Sequence, residues 1–380
     1  MRTFKSVKQN YLPPKELVPL FEEFRWMINE AIRIGLEKRI TSRFKLTSEC
    51  YPKFKNEFYS SYRLEAINKA IAILRNYRRK PVQARRPYVW KKFITMATKD
   101  AFKIDNGSLS LSIKPRKKVS IPLNRHTLEV LSDNKLCSVN VTESQISLQF
   151  SKEIFTRNPV GFIGVDRNLR NITIASTNDD LKVFNTSKVI QKKLAYSEVK
   201  SHFRRNDDRI SKQISEKYGI KQSEFENQVL HKISKEIVNE AQSLNFGIVM
   251  ENLKGMRNLY RAGNGQGRGY RKLLNAWSFA KLQKMIEYKA LWKDVRVKYV
   301  NKNKTSSLCA TCGSRVTEST DRTVSCLKCQ TRIDRDINAA KNILANGTLK
   351  FGVIGSANEA MNGNGTNSLI LSVDADKSSG

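Results

Sequence analysis

Of 380 residues, 69 are Lys or Arg and 35 are Asp or Glu, a formal net charge of +34 at pH 7 that calls for a polyanionic partner. A membrane surface does not fit that role, since there is no run of roughly 18 apolar residues, no secretory leader before residue 30, and the aromatics are spread along the chain. With 39% hydrophobic residues, 12 Tyr and 17 Phe, the sequence can build cores, which points to two or three folded domains of about 100–200 residues each and a nucleic-acid partner.

Residues 1–10 alternate loosely, as an edge strand does. Pro13, Pro14 and Pro19 then punctuate the entry into a helix carrying Leu20, Phe21, Phe24, Met27, Ile28 and Ala31. A second helix is expected from Tyr62 to Arg79, with Leu64, Ile67, Ile71 and Leu74 on one face and Arg63, Asn68, Lys69 and Arg75 around the rest. Between Arg75 and Lys92 the cations Arg75, Arg78, Arg79, Lys80, Arg85, Arg86, Lys91 and Lys92 are interleaved with Tyr77, Tyr88 and Trp90. That mixture offers a nucleic-acid strand both charge and stacking; the alternative is a solvated loop. From 101 to 150 the pattern turns to short alternating stretches (Phe102–Ile104, Leu109–Ile113, Val119–Ile121, Val139–Val141, Ile146–Phe150), with Asn106-Gly107 as a hairpin turn. These predict a small antiparallel sheet or barrel, kept basic by Lys114, Arg116, Lys117 and Lys118.

Beyond Gly161 the punctuation becomes that of an α/β domain. Strands are expected at Phe162–Asp166, Ile172–Ala175, Phe246–Met250 and Val295–Val300, with a polar helical region around 187–216. Helices are expected around Val229–Ile237, Trp277–Ile286 and Ile337–Ala345. The Gly/Asn/Ser-rich stretch from there to residue 380 lacks the charge of the rest and is expected to be a flexible tail. Five glycines and six cations in the segment from Lys254 to Lys272 suggest either a mobile loop over a nucleic-acid strand or a plain linker.

Three acids stand at element ends: Asp166 in Gly164-Val165-Asp166-Arg167-Asn168, Glu251 closing Ile248-Val249-Met250-Glu251, and Asp336 opening the run Ile337-Asn338-Ala339-Ala340. The separations, 251 − 166 = 85 and 336 − 251 = 85, mean that only folding can unite them. Carboxylates gathered on so basic a chain suit hard divalent cations, and two such ions can activate water and stabilise a leaving oxygen in phosphodiester cleavage. Taken singly, each acid is as well explained by solubility or by the helix dipole. Asp334 is the rival to Asp336, which is preferred because it immediately precedes the helical run.

Cys309-x-x-Cys312 and Cys326-x-x-Cys329 have the spacing of a zinc ribbon whose four thiolates fill a tetrahedral, structural site. Such clustering argues for a reducing, intracellular setting and against disulfides. Cys50 and Cys137 stand alone and are read as small buried hydrophobes. His126, His202 and His231 have no ligand spacing, and neither a Walker loop nor a nucleophile elbow is present.

The stretches GVDRN, IVMENLKGMR, YKALWKDVRVKYVNKNKTSSLCATCG and CLKCQTRIDRDINAAKNIL resemble the motifs of TnpB proteins, insertion-sequence-encoded RNA-guided nucleases similar to compact type V CRISPR effectors. The resemblance is strong over 160–345; the amino-terminal half shares only layout. It implies an α/β and α+β multidomain chain with an RNase H-like (RuvC) nuclease domain at 156–300 and 331–346. A zinc ribbon would be inserted at 301–330, a wedge-like β-barrel would lie at 1–10 and 100–155, and a helical recognition lobe with the basic segment at 11–99, leaving 347–380 as tail. It makes Asp166, Glu251 and Asp336 the catalytic triad holding Mg²⁺ or Mn²⁺, and Cys309, Cys312, Cys326 and Cys329 the ligands of structural Zn²⁺. The implied partners are a guide RNA from the transposon end and a double-stranded DNA target cut beside a short flanking motif, with no membrane, a cytoplasmic location and a monomer favoured. Contacts to nucleic acid are expected from Tyr62, Asn68, Lys69, Arg75, Arg78, Arg79, Arg85, Arg86, Lys117, Lys118 and Arg268. Two other functions stand beside cleavage: a guide-directed DNA-binding regulator, which should have lost one of the acids, and a DNA-joining transposase.

Overall fold

The computed structural model describes all residues except 1, 41, 55–56, 80–83, 98–100, 133, 156–157, 206, 254, 257–264, 266, 302–304, 320 and 350–380. Most of the glycine-rich segment and nearly all of the expected tail therefore lie outside the described residues. Two compact units divide the chain, the first Met1–Glu153 and the second beginning at Ile154.

The first unit runs β1 (Arg2–Asn10), α1 (Leu17–Glu37), α2 (Arg43–Cys50), α3 (Ser61–Arg78), β2 (Phe93–Met96), β3 (Phe102–Asp105), β4 (Ser108–Lys114), β5 (Lys117–Pro122), α4 (Arg125–Ser132), β6 (Lys135–Thr142) and β7 (Gln145–Glu153). Its strands form two antiparallel sheets, β1-β7-β6-β2 and β3-β4-β5, so β1 does lie at an edge. Alternation does the work: Leu109, Leu111 and Ile113 of β4 are buried while the serines between them are partly open. Asn106 and Gly107 both take positive φ, 46° and 72°, as a tight two-residue hairpin demands.

Four features depart from the sequence expectation. No strand pairing among the described residues joins the two sheets, so the strands make two sheets and not one closed barrel. The segment β2, expected in the helical lobe, pairs with β6 instead. In α3 the buried stripe is Tyr62, Glu65, Ala66, Ile67, Ala70, Ile71 and Leu74, while Leu64 faces out, one position round from the predicted face. Cys50 is buried as expected, but Cys137 is only half-buried and its thiol lies 3.1 Å from the Ser151 hydroxyl.

In the second unit β8 (Gly161–Arg167), β9 (Asn171–Ser176) and β10 (Leu181–Asn185) are followed by α5 (Ser187–His202), which falls in the expected polar helical region, and by the 36-residue α6 (Asp208–Ser243), which begins there and runs on well past its expected end at 216. Then come β11 (Phe246–Glu251), α7 (Arg268–Asn275), α8 (Phe279–Trp292), β12 (Val297–Val300), the short strands β13 (Val316–Glu318), β14 (Thr323–Cys326) and β15 (Arg332–Asp334), and α9 (Arg335–Leu349). One mixed sheet has the order β10-β9-β8-β11-β12, antiparallel across β10, β9 and β8 and parallel across β8, β11 and β12. Every residue of the central β8 is buried, as an apolar strand covered on both faces should be. On one face Ile163, Val165, Ile174, Ile248 and Met250 pack with Leu230 and Ile237 of α6 and with Leu282 and Ile286 of α8. On the other, Phe162, Val249 and Val300 meet Ile343 of α9. Gly164 permits that second contact: a Cβ there would fall 2.5 Å from the Ala340 carbonyl oxygen and 2.8 Å from the Leu344 nitrogen. The small sheet β13-β14-β15 holds the cysteine module and runs to Asp334, past the expected boundary at 330.

Candidate metal centres and nucleic-acid surfaces

The mixed sheet sets the acids. Val165 of β8 and Met250 of β11 are register partners in a parallel pair, so Asp166 and Glu251, each one residue further on, leave adjacent strands in step. Their side chains project to the face of Gly164 and Val249, against which α9 packs, by the two-residue alternation of a strand. Asp336 lies in the first turn of α9, one helical turn before the Ala340 that rests on Gly164, and so is aimed at the same strand end. Asp334, its rival in the sequence, caps α9: its carboxylate accepts from the amides of Asp336 (2.8 Å) and Ile337 (3.1 Å).

Asp166 is 6% exposed and Asp336 3%. Burial first, then the negative charges of Glu251 and Asp336, pushes the Asp166 carboxyl up to about 7 from an ordinary 3.8, against one stabilising hydrogen bond from the Asn168 amide at 2.6 Å. A buried carboxylate facing two others is a donor set for a hard cation, and the all-oxygen chemistry suits Mg²⁺ or Mn²⁺.

Several neighbours of the acids escaped sequence reasoning. Arg322, in the turn between β13 and β14 at a φ of 65°, donates to both oxygens of Asp336 at 2.8 Å, and the Asn171 amide donates to one of them at 2.7 Å. The Thr305 hydroxyl donates to Glu251. Arg167, 3% exposed, donates to the main-chain carbonyl of Glu251 and to Gln283 Oε1 (2.8 Å), tying the ends of β8 and β11 to α8. No periodicity marks these residues, since each acts across a long sequence gap; the adjacency of Arg167 to Asp166 is the one signal available. With Arg322 on Asp336, the three carboxylates stand wider apart than the cysteine sulfurs. Among the described residues those sulfurs are the one group of three or more His, Cys, Asp or Glu ligand atoms within 4.8 Å of one another.

Cys309, Cys312, Cys326 and Cys329 are free thiols brought together by two turns of the same design. Each pair is followed by a left-handed residue, Gly313 (φ 72°) and Gln330 (φ 57°), which folds the backbone back around the sulfurs. Four sulfurs so gathered fit tetrahedral Zn²⁺. The module is fastened to α9: Asn338 donates to Leu308 O (2.7 Å) and accepts from Ala310 N (2.8 Å), and Asn342 donates to Thr305 O and Leu308 O, both at 2.8 Å.

The expected nucleic-acid contacts divide. Lys69, Arg75, Arg78, Arg79, Arg85, Arg86, Lys117 and Lys118 of the first unit and Arg268 of the second are exposed, and Asn68 is half-buried. Tyr62 is a core residue instead: it is fully buried, edge-on to Phe24, with its hydroxyl on Ser112 O at 2.9 Å, so its ring offers no face to a base. Its position on α3 falls in the stripe that packs against α1, displaced by one residue from the predicted face.

The fold is of the class of compact Cas12f effectors. A Cas12f1 solved in complex with sgRNA and target DNA superposes with a TM-score of 0.56 at 15% identity, covering 87% of this chain and 83% of that one. The Cas12f1-like TNB domain model matches residues 279–343, from α8 through the cysteine module into α9, and the model of the uncharacterized protein MJ0013 family matches 20–112. TnpB-like protein MJ0751 of Methanocaldococcus jannaschii is 31% identical over 259 residues, 64% of this chain and 91% of that protein. The chain belongs to the TnpB family. The CRISPR-associated endodeoxyribonuclease Cas12f2 of a Micrarchaeota archaeon is 34% identical over 122 residues, 30% of this chain and 22% of its own length. No helix among the described residues is long and apolar enough to cross a membrane.

Proposed function

We propose that the protein is an RNA-guided, metal-dependent DNA endonuclease of a transposable element, with a RuvC-like active site at Asp166, Glu251 and Asp336. The observation that carries this reading is the approach of three carboxylates, from the ends of two adjacent parallel strands and the first turn of the helix packed on them. Further support comes from the strand order, three antiparallel strands followed by two parallel ones, which is that of an RNase H-like sheet. Membership of the TnpB family and the names of the relatives support nuclease chemistry, and the Cas12f1 complex supports RNA and DNA as partners.

In this reading the three acids hold Mg²⁺ or Mn²⁺, and those ions when bound supply an activated water and neutralise the leaving oxygen. The protein's own residues do the rest. Arg167 and Thr305 fix the backbone and carboxylate of Glu251. Arg322 exchanges Asp336 for the scissile phosphate as substrate enters, so a cation follows the substrate to the site. The cysteine module, loaded with Zn²⁺, carries both Thr305 and Arg322 to the acids. The exposed cations of the basic segment and of β5 hold nucleic-acid backbones, while pairing with the guide supplies sequence. Retention of all three acids favours cleavage over guide-directed binding alone.

The test is to purify the protein with RNA transcribed from the flank of its own element and incubate it with Mg²⁺ and a DNA library randomised beside the guide-matched sequence. An Asp166→Ala protein and an RNA-free preparation run in parallel. Guide-dependent double-strand cleavage that vanishes in both controls is expected. RNA-dependent DNA binding without cleavage would make the protein a regulator.

A further inference from the structure

Upstream of β2 lies Pro87-Tyr88-Val89-Trp90-Lys91, and its aromatics do not pack into a core. Trp90 is 77% exposed and Tyr88 51%, unusual for rings of that size, and the two lie against each other with centroids 4.4 Å apart and planes tilted by 58°. The residue between them is pinned. The side-chain amide of Asn29 on α1 donates to the Val89 carbonyl at 3.0 Å and accepts from the Val89 nitrogen at 2.8 Å, using one donor and one acceptor as a neighbouring strand would. Exposed rings on a loop would ordinarily lose much freedom on binding; here the backbone that carries them is already fixed, so that cost falls.

The electrostatics agree. Arg85, Arg86 and Lys91 are exposed and make no ion pair among the described residues. Lys92 bonds Glu22 and lies 3.6 Å from Glu143, which neutralises nearby acids. Rings already in contact leave no slot for a third between them, so a partner ring must stack on the open face of Trp90. A flat partner on a polyanionic backbone is a nucleic acid, and its base must be unpaired to offer that face.

The geometry points to a preformed stacking platform, Trp90 buttressed by Tyr88, that takes an unpaired base of RNA while Arg85, Arg86 and Lys91 hold the adjoining phosphates. The choice of RNA over a DNA strand rests on the RNA-guided reading: a guide offers unpaired bases from the outset, whereas target DNA offers them only once opened. The platform itself does not rest on that reading.

Two measurements test it, both on the full chain carrying Asp166→Ala so that no probe is cut. In the first, fluorescein-labelled oligo(U) of 16 nucleotides and a 16-mer of abasic RNA are titrated against protein with and without Tyr88→Leu/Trp90→Leu. The double substitution is expected to weaken oligo(U) binding roughly tenfold or more, to leave the abasic probe and the salt dependence unchanged, and to be largely rescued in Trp90→Phe. Unchanged oligo(U) affinity, or an equal loss on the abasic probe, overturns the platform. In the second, protein purified with RNA from its element's flank is irradiated at 254 nm before any DNA is added. A ribonucleotide adduct on the Trp90 peptide is expected. A deoxynucleotide adduct that arises only after target DNA is supplied makes the occupant a DNA strand and overturns the assignment to RNA. A particle that carries RNA but gives no adduct either before or after target DNA is supplied sinks the platform alone, and one that carries no RNA sinks the guided reading with it.

Discussion

Gly164→Ala tests whether the docking of α9 is what delivers Asp336. The added methyl would sit 2.5 Å from the Ala340 carbonyl oxygen, 2.8 Å from the Leu344 nitrogen and 2.9 Å from the Leu344 Cβ, and the first two are backbone atoms that no rotamer change can move aside. Ordinary contact begins near 3.4 Å, so relief requires α9 to lift by about 0.9 Å. Overpacking of this kind costs about 1–3 kcal/mol, and at about 2–4 °C per kcal/mol for a unit of this size the midpoint should fall by roughly 2–12 °C. The functional loss should be the larger one, because a shift near 1 Å of a reacting group costs on the order of 100-fold in rate. Calorimetry and guided cleavage on the same preparations separate the two. A Gly164→Ala protein that melts and cuts like the parent would refute the account of how α9 is seated.

The control for that experiment is Gly219→Ala in the long helix α6, where an added Cβ meets nothing within 4 Å; it should stabilise by up to about 1 kcal/mol in chemical denaturation, and a loss would mean that a partner occupies this face. Arg322→Ala should remove the guanidinium from Asp336, leaving the Asn171 amide on one oxygen, and tighten Mn²⁺ binding severalfold by calorimetry while cleavage falls; equal or weaker Mn²⁺ binding would show that Arg322 does not compete with the cation. Cys326→Ser should lose zinc by elemental analysis and raise hydrogen exchange through Thr305–Ala310 and the first turn of α9, since Asn338 and Asn342 anchor those segments to each other. Asp166 carries a pH signature. With its folded pKa raised to about 7, the folded protein holds a proton that the unfolded chain has already lost, so this contribution is present at low pH and disappears as pH rises through 7. Without added divalent cation, Asp166→Asn should therefore stabilise the protein at pH 8, by at most about 4 kcal/mol for a shift of some three units, and have little effect at pH 4; equal effects at both would place the carboxyl in a solvated environment.

Legibility in the sequence followed the range of the interactions. Strand alternation and helical spacing are local, so β1, β4, β7, β8, β11 and the helices α1, α3 and α9 could all be read from apolar periodicity. The cysteine turns could be read because sulfur spacing is itself local. Three kinds of element could not. The strand β2 looks like the end of a basic linker until β6 is beside it. The exposed edge strand β10, Leu181–Asn185, buries almost nothing and so has no apolar rhythm to read. Leu64 and Tyr62 were exchanged because a stripe that includes small residues, Ala66 and Ala70, shifts the centre of the buried face away from the large aliphatics. The acids themselves were legible as strand and helix ends, but their partners Arg322, Thr305 and Arg167 reach them from other elements, and only the folded chain shows them.

The three acids are held with unequal stiffness, and that inequality bears on how the site is switched. Asp166 and Glu251 project from adjacent, buried strands whose register is fixed by main-chain hydrogen bonds, and Arg167 ties the two strand ends together besides. Asp336 has no strand beneath it. Its place depends on how α9 is seated, through the Gly164 contact and the packing of Ile343 on Phe162, Val249 and Val300, on the Asp334 cap, on the Asn171 amide, and on a cysteine module joined to α9 largely through side-chain amides. Side-chain contacts yield before a sheet does. The same module carries Arg322 to Asp336 and closely precedes α9 in sequence, so under the proposed function a nucleic-acid strand that draws Arg322 away would both strip the guanidinium from the third carboxylate and loosen the element that positions it. Closure of the acid cluster is therefore expected to follow substrate entry, with Asp336 as the member that moves.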